Sequence, residues 1–250
     1  MKTIQAYIES KQNEFGKHPF FNLLQQFETK EEINYFVPEL TFWAMTFQDI
    51  LRINEEKIKD PYFKKIARHH RMEDSGHEKW FLHDKGYLSH LGEENVKQIH
   101  DIAWLYSKEC RQTRDAVYEI VSTLFDAETE NEYLNVILLL VLESSGHVFF
   151  EKVSEQVKHT DEDGNLRYFS SSHLEVEKAH ALFETEMERT LFETVLDLDT
   201  KRQAVLMIER CYKAFHKMFD RLVITCNRRT LEAQEVFHAK KAAVPKPETA

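Results

Sequence analysis

Glycine (6) and proline (5) are scarce for a chain of 250 residues. Turns that need a left-handed residue or a fixed φ must be few, which excludes a β-rich fold built on frequent tight turns. Cysteine is scarce as well. Cys110, Cys211 and Cys226 are odd in number and scattered, so they form neither a disulfide framework nor a CxxC metal pattern. That usage fits a reducing compartment, and a cytoplasmic protein is expected. The longest apolar run, Val136 to Leu142, is too short to span a bilayer. Met1 to Phe15 is amphipathic and carries acids, so a secretion signal is not expected there. Positive charge is in the minority: 33 Lys and Arg against 43 Asp and Glu give a net charge of -10. Neither nucleic acid nor an anionic membrane is expected as the main partner.

What the sequence does hold is glutamate, lysine, leucine and phenylalanine, with 42% hydrophobic residues overall. These are helix formers with enough apolar surface for a substantial core. The expectation is all-α, a single multi-helical bundle over residues 1–239, with residues 240–250, including Pro245 and Pro247, as a disordered tail. Residues 2–15 make a first helix, and His18-Pro19-Phe20-Phe21 begins a short second one. Thr29 with Glu32 is a capping box that opens a helix to about 55, bent at Pro38. Asp60 caps, and Pro61 starts, a helix that Gly86 ends after Lys85. Further helices are expected at 92–105, 107–127 and 129–158. After a polar loop at 159–171, Ser172 with Glu175 caps a helix to about 196, and a last helix covers 199–236.

The residues that suggest chemistry fall in three groups. In the first, His173, Glu177 and His180 stand at i, i+4 and i+7, so a helix would present all three on one face. The second lies in a stretch where five histidines occur between His69 and His90. There His70, Asp74 and His77 repeat the spacing with aspartate for glutamate, and Glu73 stands four residues before His77. Trp80 and Phe81 follow, so this helix is expected to be buried in its second half. The third is Glu143, at the end of Val136–Leu142, with His147 one turn on. A carboxylate there belongs in the core and needs a cation. No Lys or Arg lies within a turn of it, so the partner must come from another helix. Nitrogen and oxygen donors without thiolates suit iron or manganese better than structural zinc. Helices that aim Glu and Glu-x-x-His inward are the logic of di-iron carboxylate bundles, and Glu177-Lys178-Ala179-His180 is such a pair.

In this order the motifs resemble those of the haem-oxygenase-like di-iron oxidases, from the superfamily that also holds haem oxygenase, thiaminase II and the oxidase of pyrroloquinoline quinone synthesis. His18-Pro19-Phe20-Phe21 and Thr29-Lys30-Glu31-Glu32 resemble its opening helices, and the likeness covers roughly residues 15–230. It implies metal ligands from Glu73 or Asp74, from His77 and Glu143, and from His173, Glu177 and His180. His70 and His147 have no counterpart in that family and are expected to support those ligands. It further implies two iron ions, with manganese as the alternative, and O2 as co-substrate. The partners would be a small organic substrate (amino acid, fatty acid or amine) and an external electron donor, with a homodimer compatible. Oxidative cleavage, decarboxylation or N-oxygenation would be the reaction. Three other readings compete: a metal-free hydrolase like thiaminase II, using one of the three cysteines as nucleophile; a haem protein with His18 as axial ligand; and a non-catalytic interaction protein that keeps the fold.

Overall fold

A computed structural model describes residues 1–91, 103–125, 131–161, 164–179 and 191–242; the side chains of 90–91, 177–179 and 240–242 lie outside that description. Among the described residues there is no strand. Chain order gives α1 (Lys2–Phe15), α2 (Pro19–Leu24), α3 (Lys30–Ile33), α4 (Val37–Lys57), α5 (Pro61–Glu73) and α6 (His77–Leu91). Then come α7 (Arg111–Thr123), α8 (Glu132–Thr160), α9 (Ser171–Ala179) and α10 (Leu198–Ala242).

Most starts follow their caps. Asp60 accepts from the N–H groups of Tyr62 and Phe63 at 2.7 and 3.3 Å, with Pro61 in the first turn. His18 does the same for α2: its Nδ1 accepts from Phe20 N–H at 3.2 Å. The Thr29–Glu32 capping box forms, but it opens only the four-residue α3. The expected 29–55 helix breaks before Val37, because Pro38 occupies the first turn of a new helix rather than a bend within one.

A second break matters more. The helix expected over 60–85 stops at Glu73, and α6 restarts at His77. Gly76 sits between them at φ 102°, a region open to glycine at little cost. Gln48 of α4 holds the corner by donating to the Asp74 carbonyl at 2.6 Å. Gly86, expected to end the helix, lies inside α6. α9 is capped not by Ser172 but by Ser170, whose hydroxyl accepts from His173 N–H. α10 continues to Ala242, into the segment expected to be disordered.

α8 is the central post, packed against α1, α2, α5, α9 and α10. By length and composition it could cross a membrane, with a mean hydropathy of 1.6, so the short run Val136–Leu142 understates it. Here its apolar surface serves the core, with buried residues from Leu134 to Val157. Phenylalanine fills the space between the helices: Phe15 meets Phe219 edge-on at 4.7 Å, and Phe20 meets Phe36 at 5.2 Å. α4 and α10 are tied by a buried ion pair, in which Glu39 accepts from Arg221 at 3.0 Å and from the Thr225 hydroxyl at 2.8 Å.

Candidate metal centre

The Gly76 corner aims two histidines at one aspartate from two directions. His70 lies on α5 one turn before Asp74, and its Nε2 is 3.3 Å from Asp74 Oδ2. His77 opens α6 beyond the corner, and its Nδ1 is 3.3 Å from Asp74 Oδ1. From α8, Glu143 Oε1 comes to 3.3 Å from His70 Nε2. From α9, His173 Nε2 comes to 3.3 Å from His77 Nδ1. The single carboxylate of Asp74 thus spans two groups of donors, His70 with Glu143 on one side and His77 with His173 on the other. His70, Asp74, His77 and His173 are all buried, and Glu143 is mostly so.

Sequence spacing placed Asp74 and His77 on one helical face. They do meet, but through a break in the helix. Of the two acids left open, Asp74 faces the cluster, whereas Glu73 turns to His69, whose Nε2 lies 3.2 Å from it. His70, expected to support the ligands, is inside the donor group itself. His147, also expected to support the ligands, is half-buried on α8. The backbone of Glu177 lies in α9, but its side chain and all of His180 fall outside the described residues.

Sequence reasoning missed Asp84. This carboxylate is fully buried on α6 and accepts from three consecutive backbone N–H groups: Arg167 at 2.8 Å, Tyr168 at 2.7 Å and Phe169 at 3.2 Å. It fixes the turn that leads into α9. The Tyr168 carbonyl within that turn meets His173 Nδ1 at 2.6 Å. A carbonyl can only accept, so Nδ1 carries the proton and Nε2 presents its lone pair to the cluster. Such a partner on the far nitrogen is the usual support of a metal-binding histidine. Its only sequence signal is an aspartate in the middle of an otherwise apolar helical face, Phe81-Asp84-Leu88. Trp80 stacks on His77 at 4.8 Å between ring centroids, and Phe150 closes on His173 at 4.4 Å.

Two features test whether a cation fits. Asp74 Oδ2 is buried and accepts no hydrogen bond from any described group. Two donors each about 2.1 Å from one ion stand about 3.0–3.4 Å apart at angles near 90–110°, and the spacings around Asp74 fall in that range. Nitrogen and carboxylate oxygen are also the donors that iron and manganese take. The residues fit such an ion.

Asp74, His77 and Glu143 of the cluster line a narrow cavity of about 70 Å³ that they share with Ser145, Tyr168 and a set of mostly aromatic side chains. No cysteine lines it among the described residues. Burial, and then the charge of Glu39, push the thiols of Cys110 and Cys226 up to about 12, so neither offers a thiolate near neutral pH. His18 is engaged at both ring nitrogens, by Phe20 N–H at Nδ1 and by Asp220 at Nε2, 3.3 Å away.

No protein-family model matches the chain, and no curated protein sequence matches it. Among solved structures it is similar to a domain of unknown function with a haem-oxygenase-like fold from Shewanella denitrificans, with a TM-score of 0.62 over 94% of both chains at 14% identity. The chain has a haem-oxygenase-like fold.

Proposed function

We propose that the protein is an O2-activating oxidoreductase with a non-haem di-metal centre, acting on a small organic substrate. The observation that carries this reading is the donor group on Asp74: one buried carboxylate with a histidine on each oxygen, Glu143 beyond the first and His173 beyond the second. His70, Asp74 and Glu143 would hold one ion, and Asp74, His77 and His173 the other, with Glu177 and His180 expected from the sequence to complete the set. Two iron ions, or manganese in their place, would supply the reduction of O2, with electrons from an external donor.

The chain's own part is arrangement. Tyr168 and Asp84 hold His173 in the tautomer that faces inward. Trp80 and Phe150 pack on the imidazoles and keep water from them. The cavity beside Glu143 would hold the substrate next to the metals. The hydrolase alternative is disfavoured by the high-pKa thiols of Cys110 and Cys226 and by a cavity with no cysteine among its described lining residues, and the haem alternative by the engagement of His18.

Anaerobic loading with Fe(II), followed by metal analysis and O2 uptake, tests the reading. Two irons per chain and O2 uptake are expected, both lost in His70→Ala and Glu143→Ala. Folded protein that takes up no Fe(II) or Mn(II) would remove the proposal.

A further inference from the structure

A second cleft, of about 480 Å³, opens between the start of α7 and the middle of α10, a usual size for a small-molecule site. It shares no described lining residue with the cavity at the candidate metal centre. α10 contributes Lys217 and Arg221. The turn before α7 gives Lys108 and Glu109, and the first turns of α7 give Arg111, Gln112 and Asp115. Each of these residues is polar or charged, and the four cations outnumber the two carboxylates. In a chain of net charge -10 this is a local reversal of sign.

The walls are held by contacts of their own. Gln112 donates from Nε2 to the Lys217 carbonyl at 2.7 Å, which ties α7 to α10 across the cleft. Arg221 is mostly buried and anchored through Nε to Glu39 of α4, 3.0 Å away. Arg111 Nε lies 3.4 Å from Asp115. Lys108 and Lys217 differ from both arginines. They are exposed, and neither ammonium group has an ion-pair partner among the described residues. The first turn of α7 forms part of the same wall, so the positive end of that helix adds to their field.

We infer that this cleft binds a phosphorylated polyol or sugar, with the phosphoryl group at Lys108 and Lys217 and the hydroxyl groups on Gln112, Glu109 and Asp115. A compact dianion is what two unpaired ammonium groups beside a helix N-terminus favour. A bare anion would fill little of the space and would face two carboxylates; a body with hydroxyl groups donates hydrogen bonds to them instead. A lipid or aromatic body would find no apolar wall among the described residues. The site is independent of any metal at Asp74.

Calorimetric titration of the metal-free full chain at physiological ionic strength tests this, since no anion can then be held by a metal ion. The probes are ribose 5-phosphate, inorganic phosphate, ribose and succinate. Ribose 5-phosphate should bind most tightly, inorganic phosphate about tenfold more weakly, and ribose and succinate more weakly still. Lys108→Gln and Lys217→Gln should each weaken ribose 5-phosphate about tenfold, and the double variant about a hundredfold. Both side chains are exposed, so circular dichroism and thermal midpoint should stay at the parent values. Lys213→Gln, one turn earlier on α10 and outside the cleft, should leave binding unchanged. Three outcomes would overturn the inference: no binding of ribose 5-phosphate, binding that the folded double variant retains, or an equal loss in Lys213→Gln, which would mark a diffuse field rather than a site. Succinate binding as well as ribose 5-phosphate would overturn the phosphoryl assignment.

Discussion

Asp74 and Asp84 lie ten residues apart, on either side of the Gly76 corner, and both are buried. Asp84 takes three backbone N–H groups and lies 3.0 Å from His83 Nδ1, so the fold itself supplies its partners. Around Asp74 the described partners are two imidazoles at 3.3 Å, with a second carboxylate beyond one of them. Glu39 resembles Asp84 in its solution: a protein cation, Arg221, and a hydroxyl. Burial alone therefore does not mark a functional acid. Under the proposed function, what sets Asp74 apart is that its neighbours are imidazoles and a second carboxylate, groups that can bind a cation, rather than backbone N–H groups or a protein cation.

The comparison can be broken from either side. The largest effect is expected at the structural acid. Asp84→Ala leaves three backbone N–H groups buried without their acceptor and should cost about 3–5 kcal/mol in urea unfolding. Asp84→Asn should cost less but still loosen the turn at 167–169. An Asp74→Asn variant should behave in the opposite way. Stability of the metal-free protein should change by less than about 1 kcal/mol, while Fe(II) or Mn(II) affinity falls about a hundredfold or more. Equal destabilisation by the two asparagine variants would erase the distinction. Between them in size, Tyr212→Phe removes the hydrogen bond to Ser144, 2.7 Å long, beside Glu143. It should cost about 1 kcal/mol of stability and leave metal content intact.

The smallest expected effect is a pH dependence away from the cluster. Burial, and next the charge of His216, lower the pKa of His18 from its ordinary 6.5, against the opposing pull of Asp220. The unfolded chain then takes up this proton first as pH falls. The contribution is fully present above pH 6.5 and is lost as pH drops through the lower folded value. His18→Asn keeps a capping side chain for Phe20 and removes the titration. The difference between parent and variant stability should shift between pH 7 and 5; a constant difference would exclude the effect.

The helical class and two of the three expected caps were legible because they rest on short-range chemistry: Asp60 before Pro61, Thr29 before Glu32. The cluster was legible in part: spacing picked out His70, Asp74, His77 and His173, the end of an apolar run picked out Glu143, and these five do converge, with His70 among them rather than behind them. What spacing could not reach is shown by two copies of one pattern. Glu73-Asp74-Ser75-Gly76-His77 and Glu143-Ser144-Ser145-Gly146-His147 share Glu-x-Ser-Gly-His. In the first copy the glycine turns left-handed and the helix breaks, and the acid that faces the cluster is the second residue. In the second copy the helix runs through, and the acid is the first. Packing decides: the first lies at a corner that Gln48 holds, the second in the middle of the central post. Asp84 escaped notice for a related reason. Its partners are backbone groups more than eighty residues later, and no periodicity reports them.

The scatter of the donors along the chain bears on how the protein is made. His70 and His173 are roughly a hundred residues apart, with Glu143 between them on a third element. A cation cannot gather such groups early, because the loops to be closed are long and closure waits on the packing of α5, α8 and α9. In a zinc finger, by contrast, neighbouring ligands let the ion nucleate the fold. Under the proposed function the helices assemble first, with Asp74 and Glu143 already brought together, and an ion would arrive at a finished site. Newly made protein should thus accumulate as a folded, metal-free form, and the metal it finally carries would be set by what surrounds the completed molecule.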